Sequence, residues 1–138
     1  MINDTNEHVL VGLSSSPSNE KIVKTAAKMA KAFNAKFTAL YVKTTKDDKM
    51  SLDNKFRLKS NISLAESLGA TVVTIYGDDI SFQIAEYARI SEVTKIVIGR
   101  SAVNKRKSPM KSLVTDQLIT IAPNVDIYII PDYSLKTN

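Results

Sequence analysis

Short, nearly continuous apolar runs alternate along this chain with longer stretches of helical period. Residues 8–13 carry Val9, Leu10, Val11 and Leu13 with almost no polar interruption, the pattern of a strand covered on both faces. From about 18 to 34, Ile22, Val23, Ala26, Ala27, Ala30 and Phe33 recur at helical spacing and should face inward, with Lys21, Lys24, Lys28 and Lys31 on the other side. Ser16 or Ser18 can cap this helix; with Ser16 as cap, Pro17 takes the first helical position, where its missing N–H costs little. Asn34-Ala35 ends it, and 36–42 reads as a second strand. A polar surface loop, 43–50, leads to a helix over about 51–68 bearing Leu52, Phe56, Ile62, Ala65 and Leu68, closed by Gly69.

The same alternation continues to the carboxyl end. Residues 71–76 are β-branched and end at Gly77. Asp79 caps a helix over about 80–91 with Ile80, Ile84, Ala85 and Ala88 inward. Residues 95–100 form a fourth strand, apolar at its centre, and a basic loop follows over 100–111. Ser112 opens a last helix with Val114, Leu118 and Ile121, and 125–130 is a fifth strand stopped by Pro131. Strand and helix alternate throughout, which predicts an α/β sandwich around a mostly parallel sheet, in the order 2-1-3-4-5 or a relative of it. The domain should occupy residues 8–132, with 1–7 a disordered or extended lead-in and 133–138 a short tail. No internal linker or solenoid-period repeat interrupts it.

Composition narrows the chemistry. The 138 residues suffice for one domain with its own core. Cysteine is absent, which removes disulfides, zinc-thiolate sites and a thiol nucleophile. No apolar run approaches the roughly 20 residues of a membrane span, and the first residues lack the basic start and apolar middle of a signal peptide. A soluble, cytoplasmic domain is the expectation. The net charge of +5 fits an anionic partner. Sparse aromatics and no tryptophan argue against a nucleic-acid stacking platform. The lysine row reads as a solvated helix face before it reads as a nucleic-acid stripe.

In an open α/β sheet, ligands bind beyond the carboxyl ends of the strands. Those ends deliver Ser14, Ser15 and Ser16, then Tyr41, Tyr76-Gly77, and Gly99-Arg100-Ser101. The basic loop with Lys111, and Ser112 at a helix start, adjoin the same rim. Backbone N–H groups at the serine turn suit a phosphate, Arg100 can hold one bidentately, and Tyr41 can stack on or hydrogen-bond a base. Each piece also has a plainer reading: the triplet as a turn and cap, Tyr41 as core, the basic residues as a solvated loop. Their shared location favours a phosphate-and-base site without catalytic machinery. No Gly-rich phosphate loop ending in Gly-Lys-Ser/Thr and no Gly-x-Gly-x-x-Gly occurs. His8, the sole histidine, starts the first strand, away from the rim, and should be structural. Asp78-Asp79 fits helix capping better than a metal.

These residues carry a resemblance over about 7–132. The serine triplet at the first strand end, Ser18-Asn-Glu-Lys-Ile-Val-Lys-Thr-Ala-Ala27, Ala39-Leu-Tyr-Val42, Leu64-Ala-Glu-Ser-Leu-Gly-Ala70, Val73-Thr-Ile-Tyr-Gly-Asp-Asp79, residues 93–100 and Ser112-Leu-Val-Thr-Asp116 resemble the universal stress protein family. They are most similar to its branch within KdpD-type potassium-sensor histidine kinases of bacteria. The resemblance implies a five-stranded sheet of order 3-2-1-4-5, in place of the looser order above, and a cytoplasmic domain within a membrane-anchored parent. ATP-binding stress proteins carry an Asp where Ser14 stands, a Gly-x-x-Gly after the fourth strand and a later Gly-Ser/Thr. Here Gly99 is followed by Arg100-Ser101-Ala102, and Lys111-Ser112 replaces the last pair.

A subgroup of the kinase branch binds cyclic di-AMP through Ser-x-Ser, a twenty-residue gap, then Phe-Thr-Ala-x-Tyr. This chain has Ser14-Ser15-Ser16, residues 17–36, then Phe37-Thr38-Ala39-Leu40-Tyr41. The resemblance therefore implies a non-catalytic sensory domain that binds cyclic di-AMP, with no cofactor, and modulates the rest of a parent kinase in potassium homeostasis. Phe37, Ala39 and Tyr41 should share one sheet face, with only Tyr41 at the rim. An ATP- or AMP-binding stress domain and a module docking on protein or anionic membrane stay open as alternatives, and a homodimer is compatible with each.

Overall fold

The computed structural model describes residues 6–99, 117, 118, 122 and 124–131. Its elements are β1 (His8–Gly12), α1 (Asn19–Phe33), β2 (Lys36–Lys43), a 3-10 turn (Thr45–Lys49), α2 (Leu52–Ser67), β3 (Thr71–Tyr76), α3 (Ile80–Ile90), β4 (Lys95–Gly99) and β5 (Asp126–Ile130). All paired strands are parallel, and the sheet order is β3-β2-β1-β4-β5. The order that the resemblance implies is therefore the observed one. The order 2-1-3-4-5 taken from periodicity alone is corrected: β4, not β3, flanks β1 opposite β2. The chain winds outward from β1 through β2 to β3, and α3 then carries it back to the other side of β1.

That return divides the core in two. On one sheet face Val9, Val11, Leu13, Ala39, Tyr41 and Val97 pack under α1 and Ala65 of α2. On the other, Leu10, Leu40, Val42, Ile96 and Ile98 pack against Ile84 and Ala88 of α3 and against Leu118. Central strands with helices on both sides need apolar residues at every position, which is why β1 reads as an unbroken run.

One open alternative is settled and two local expectations change. Helix α1 starts at Asn19, with Ser18 as the N-cap residue, so Pro17 sits in the preceding turn rather than at the first helical position. Ser16 Oγ is drawn to Ser18 instead, accepting its N–H at 3.2 Å, which delays the helix. Phe33 is 40% exposed at the end of α1, under the Lys95 ammonium at 4.8 Å from its ring centroid. In α2, Leu52 and Phe56 are 81% and 72% exposed. The stripe that packs is Leu58, Ile62 and Ala65 with the buried amide Asn61, so one polar residue lies within the packing face and two large apolar ones lie off it.

The expectations for the lysine row, Asn34, His8 and Asp79 hold. Lys21, Lys24, Lys28 and Lys31 are exposed. Asn34 takes the left-handed C-cap conformation of α1 (φ 53°), which asparagine tolerates better than most residues. His8 is buried, bonded through Nε2 to Thr38 Oγ1 at 2.8 Å and through Nδ1 to Ser91 O at 3.1 Å. Asp79 caps α3 by accepting the Phe82 N–H at 3.1 Å. Among the described residues no group of acidic and histidine side chains is arranged to hold a metal ion, and no helix is long and apolar enough to cross a membrane. Residues 1–5 of the lead-in, the basic loop, residue 132 and the tail 133–138 lie outside the described residues, as do Ser112, Val114 and Ile121 of the expected last helix.

Candidate functional site

Strand register sets the rim. Gly12 is level with Leu40, and Val11 with Val97, so the serine turn leaves β1 beside the ends of both β2 and β4. The Leu13 N–H reaches Leu40 O at 2.9 Å, which continues the pairing one step past Gly12, so Leu13 comes level with Tyr41 and the serine turn starts just beyond it. Two of the segments singled out from the sequence therefore meet.

The turn itself is a closed hydrogen-bonded unit. Asn19, 2% exposed, donates its side-chain amide to Gly12 O at 3.0 Å and accepts the Ser14 N–H at 3.2 Å. Ser16 N–H donates to Ser14 Oγ at 3.2 Å, and the Ser16 and Ser18 hydroxyls lie 2.9 Å apart. From α2, Asn61 Nδ2 donates to Ser14 O at 2.8 Å and, more distantly, to Ser16 O at 3.4 Å. Arg57 Nη1 donates to Ser15 O at 3.1 Å and to Asn54 Oδ1 at 2.7 Å.

The expected row of open N–H groups is thus largely consumed within the turn. Ser14 and Ser16 build the loop. Ser15 is different: among the described residues neither its N–H nor its hydroxyl has a protein partner. The three serines, equivalent by composition, are separated by geometry.

Tyr41 is 9% exposed and packs in the core beneath α1 and α2. Its hydroxyl donates to the Asp47 carboxylate. Burial, reinforced by that carboxylate, pushes the phenol well above its ordinary pKa. Asp47 also accepts from Thr44 N at 3.3 Å and Thr44 Oγ1 at 3.1 Å, so the 3-10 turn after β2 is anchored over the ring. Asp78 ties the same turn to the end of β3, accepting from Thr45 N at 2.8 Å. Those bonds hold its carboxyl below the usual carboxylate range.

Phe37 and Ala39 share the face of Tyr41, as alternation requires, but lie deeper along β2. Thr38 belongs to the opposite face, bonded to His8. Gly99 reaches the rim, and its lack of a side chain has a packing cause: a Cβ there would stand 2.3 Å from Ile22 Cδ1. Arg100, Ser101, Lys111 and Ser112 lie outside the described residues.

Sequence reading missed Asn19, Asp47, Arg57 and Asn61. Only Asn61 left a signal, as an amide between Leu58, Ile62 and Ala65 in an apolar stripe. The described rim presents the Ser15 hydroxyl and N–H and the Arg57 guanidinium, while the amides of Asn19 and Asn61 and the Tyr41 phenol are buried and bonded within the protein. Such groups recognise oxyanions and planar polar rings.

Residues 5–124 match the model of the universal stress protein family. The chain is 35% identical over 134 residues to the sensor protein KdpD of Clostridium acetobutylicum, covering 94% of this chain and 14% of that protein. In fold it is similar to a universal stress protein crystallised in complex with cAMP, with a TM-score of 0.72 at 18% identity, over 93% of this chain and 98% of that one. A universal stress protein from Archaeoglobus fulgidus in complex with dAMP has a TM-score of 0.58 at 18% identity, over 92% and 99%. The parallel sheet of order 3-2-1-4-5, the two-sided helical cover and the family match agree: the chain belongs to the universal stress protein family.

Proposed function

We propose that the domain is a non-catalytic, nucleotide-sensing module of a KdpD-type sensor kinase and that its ligand is cyclic di-AMP. The observation that carries this reading is the spacing of Ser14-Ser15-Ser16 to Phe37-Thr38-Ala39-Leu40-Tyr41, two segments whose ends adjoin at the carboxyl edge of the sheet. Adenine nucleotides bound to proteins of this fold lend support. The ligand offers two phosphates and two adenines, matching donors at the serine turn, arginine side chains and an aromatic ring. Binding would bias the attached kinase through unequal affinity for its two states, linking the messenger to potassium homeostasis on the cytoplasmic side of the membrane.

Calorimetry on the folded domain with cyclic di-AMP, cyclic di-GMP and ATP tests the proposal. Saturable heat with the first, and weaker or none with the others, is the expected result. No heat with cyclic di-AMP rejects it. A preference for AMP or ATP is the second reading, and the cAMP and dAMP complexes of structural neighbours favour it. A docking module is the third, favoured by exposed Leu52 and Phe56 on α2.

A further inference from the structure

Arg57 belongs to none of the motifs above, yet α2 brings its guanidinium to the serine turn. The Nη1 nitrogen meets Ser15 O and Asn54 Oδ1, at 3.1 and 2.7 Å, so both of its protons face neutral oxygens. A guanidinium has five donors in a planar fork. The remaining edge, Nε–H with Nη2, has no protein acceptor among the described residues, and no carboxylate there lies within ion-pair distance of Arg57. The side chain is half-buried. A cation partly withdrawn from water and met, among the described residues, only by neutral oxygens keeps an unbalanced charge, which favours an anion. Next to it stands Ser15, whose N–H and hydroxyl are likewise without partners among the described residues.

We infer that Arg57 and Ser15 form an oxyanion subsite of the rim. The Nε/Nη2 edge of Arg57 takes two oxygens of one phosphate, and Ser15, on the Nη1 side, donates to the same ligand. The inference deepens the nucleotide reading and rests on it for the ligand's identity. Nη1 holds the turn while the opposite edge binds, so one side chain both shapes the loop and meets the ligand. An arginine suits this double task because its fork is rigid; a lysine offers a single point of charge.

The test follows the Arg57 Nε resonance in the unmodified domain during titration with cyclic di-AMP and, separately, with inorganic pyrophosphate. The signal is identified by its absence from Arg57→Lys. Calorimetry runs in parallel on Arg57→Gln and Arg57→Lys at two salt concentrations, with unliganded melting curves as a check on folding. Expected are a saturable Nε shift, affinity for cyclic di-AMP reduced about tenfold or more in Arg57→Gln, a smaller loss in Arg57→Lys, and weaker salt dependence in the glutamine variant. Nucleotide binding by the wild type with an unmoved Nε signal overturns the subsite, whether or not Arg57→Gln binds less well, since the arginine then acts only through the turn. A saturable shift with pyrophosphate but no nucleotide binding keeps the subsite and overturns the nucleotide reading. No response to either ligand overturns both. The Nε shift is read in the natural chain, and the melting curve of Arg57→Lys establishes that the variant used to identify the signal is folded.

Discussion

The side-chain amide of Asn61 donates to the carbonyl of Ser14 at 2.8 Å, across 47 residues of sequence. Asn61 is 5% exposed, and the same nitrogen also faces Ser16 O at 3.4 Å. One buried amide on α2 thus sets the shape of the turn that ends β1. Replacing it by alanine leaves Ser14 O without that donor in a water-poor site, at a cost of about 1–3 kcal/mol. Thermal melting should show a midpoint lowered by several degrees. Asn61→Asp should be worse, because a carboxylate would face carbonyl oxygens.

Gly99 and Ile22 make a second long-range pair. Gly99→Ala would place a methyl 2.3 Å from Ile22 Cδ1. Because that atom ends a flexible side chain, the cost should sit near the low end for overpacking, about 1 kcal/mol. Ile22→Val removes Cδ1, so the double variant should be more stable than the sum of the single losses predicts. Chemical denaturation of all four proteins measures the coupling.

His8 should make stability depend on pH. Its burial holds the imidazole below the ordinary value of 6.5, outweighing the bond to Ser91 O. The unfolded chain therefore takes up a proton at a higher pH than the native one. Stability from this group is complete above about pH 7 and falls as pH drops through 6.5 toward the lower native value. Denaturant midpoints measured between pH 7.5 and about 5 should decline, and the decline should flatten in His8→Gln, which cannot titrate. Glu7, whose carboxyl is held low chiefly by Thr94, loses its contribution only in a separate, more acidic window.

Tyr41 needs two substitutions to be interpreted. Tyr41→Phe keeps the buried ring and loses the bond to Asp47, while Thr44 still donates to Asp47. A stability change of about 1 kcal/mol or less is expected. Tyr41→Ala empties core volume under α1 and α2 and should cost about 3–5 kcal/mol. Ligand affinity is best compared between the wild type and Tyr41→Phe, with circular dichroism melts confirming that both are folded.

The extent to which the sequence was legible follows from the range of the forces involved. Strand β1 announced itself because a doubly covered strand must be apolar at each position, and Asp79 because a cap acts within three residues. Alternation correctly put Phe37, Ala39 and Tyr41 on one face. Sequence spacing also brought the serine triplet and Tyr41 together, since a helix of that length returns the chain to a neighbouring strand. Helix α2 was harder: Leu52 and Phe56 have the period of a buried face, but packing rotates them into solvent and turns Asn61 inward.

The sequence by itself determined the alternation of elements, the turn positions and the family likeness, all of which rest on contacts within a few residues or on matched spacing. The pattern of apolar runs did not decide strand order, because α3 can return the chain to either side of β1 without changing any local signal. Tertiary structure alone decided which serine is left with donors unpaired among the described residues. Ser14 and Ser16 are occupied by partners within the turn and on α1 and α2, and Ser15 is set apart by an arginine 42 residues away. Such a distinction depends on where two helices dock, and docking is a property of the assembled core.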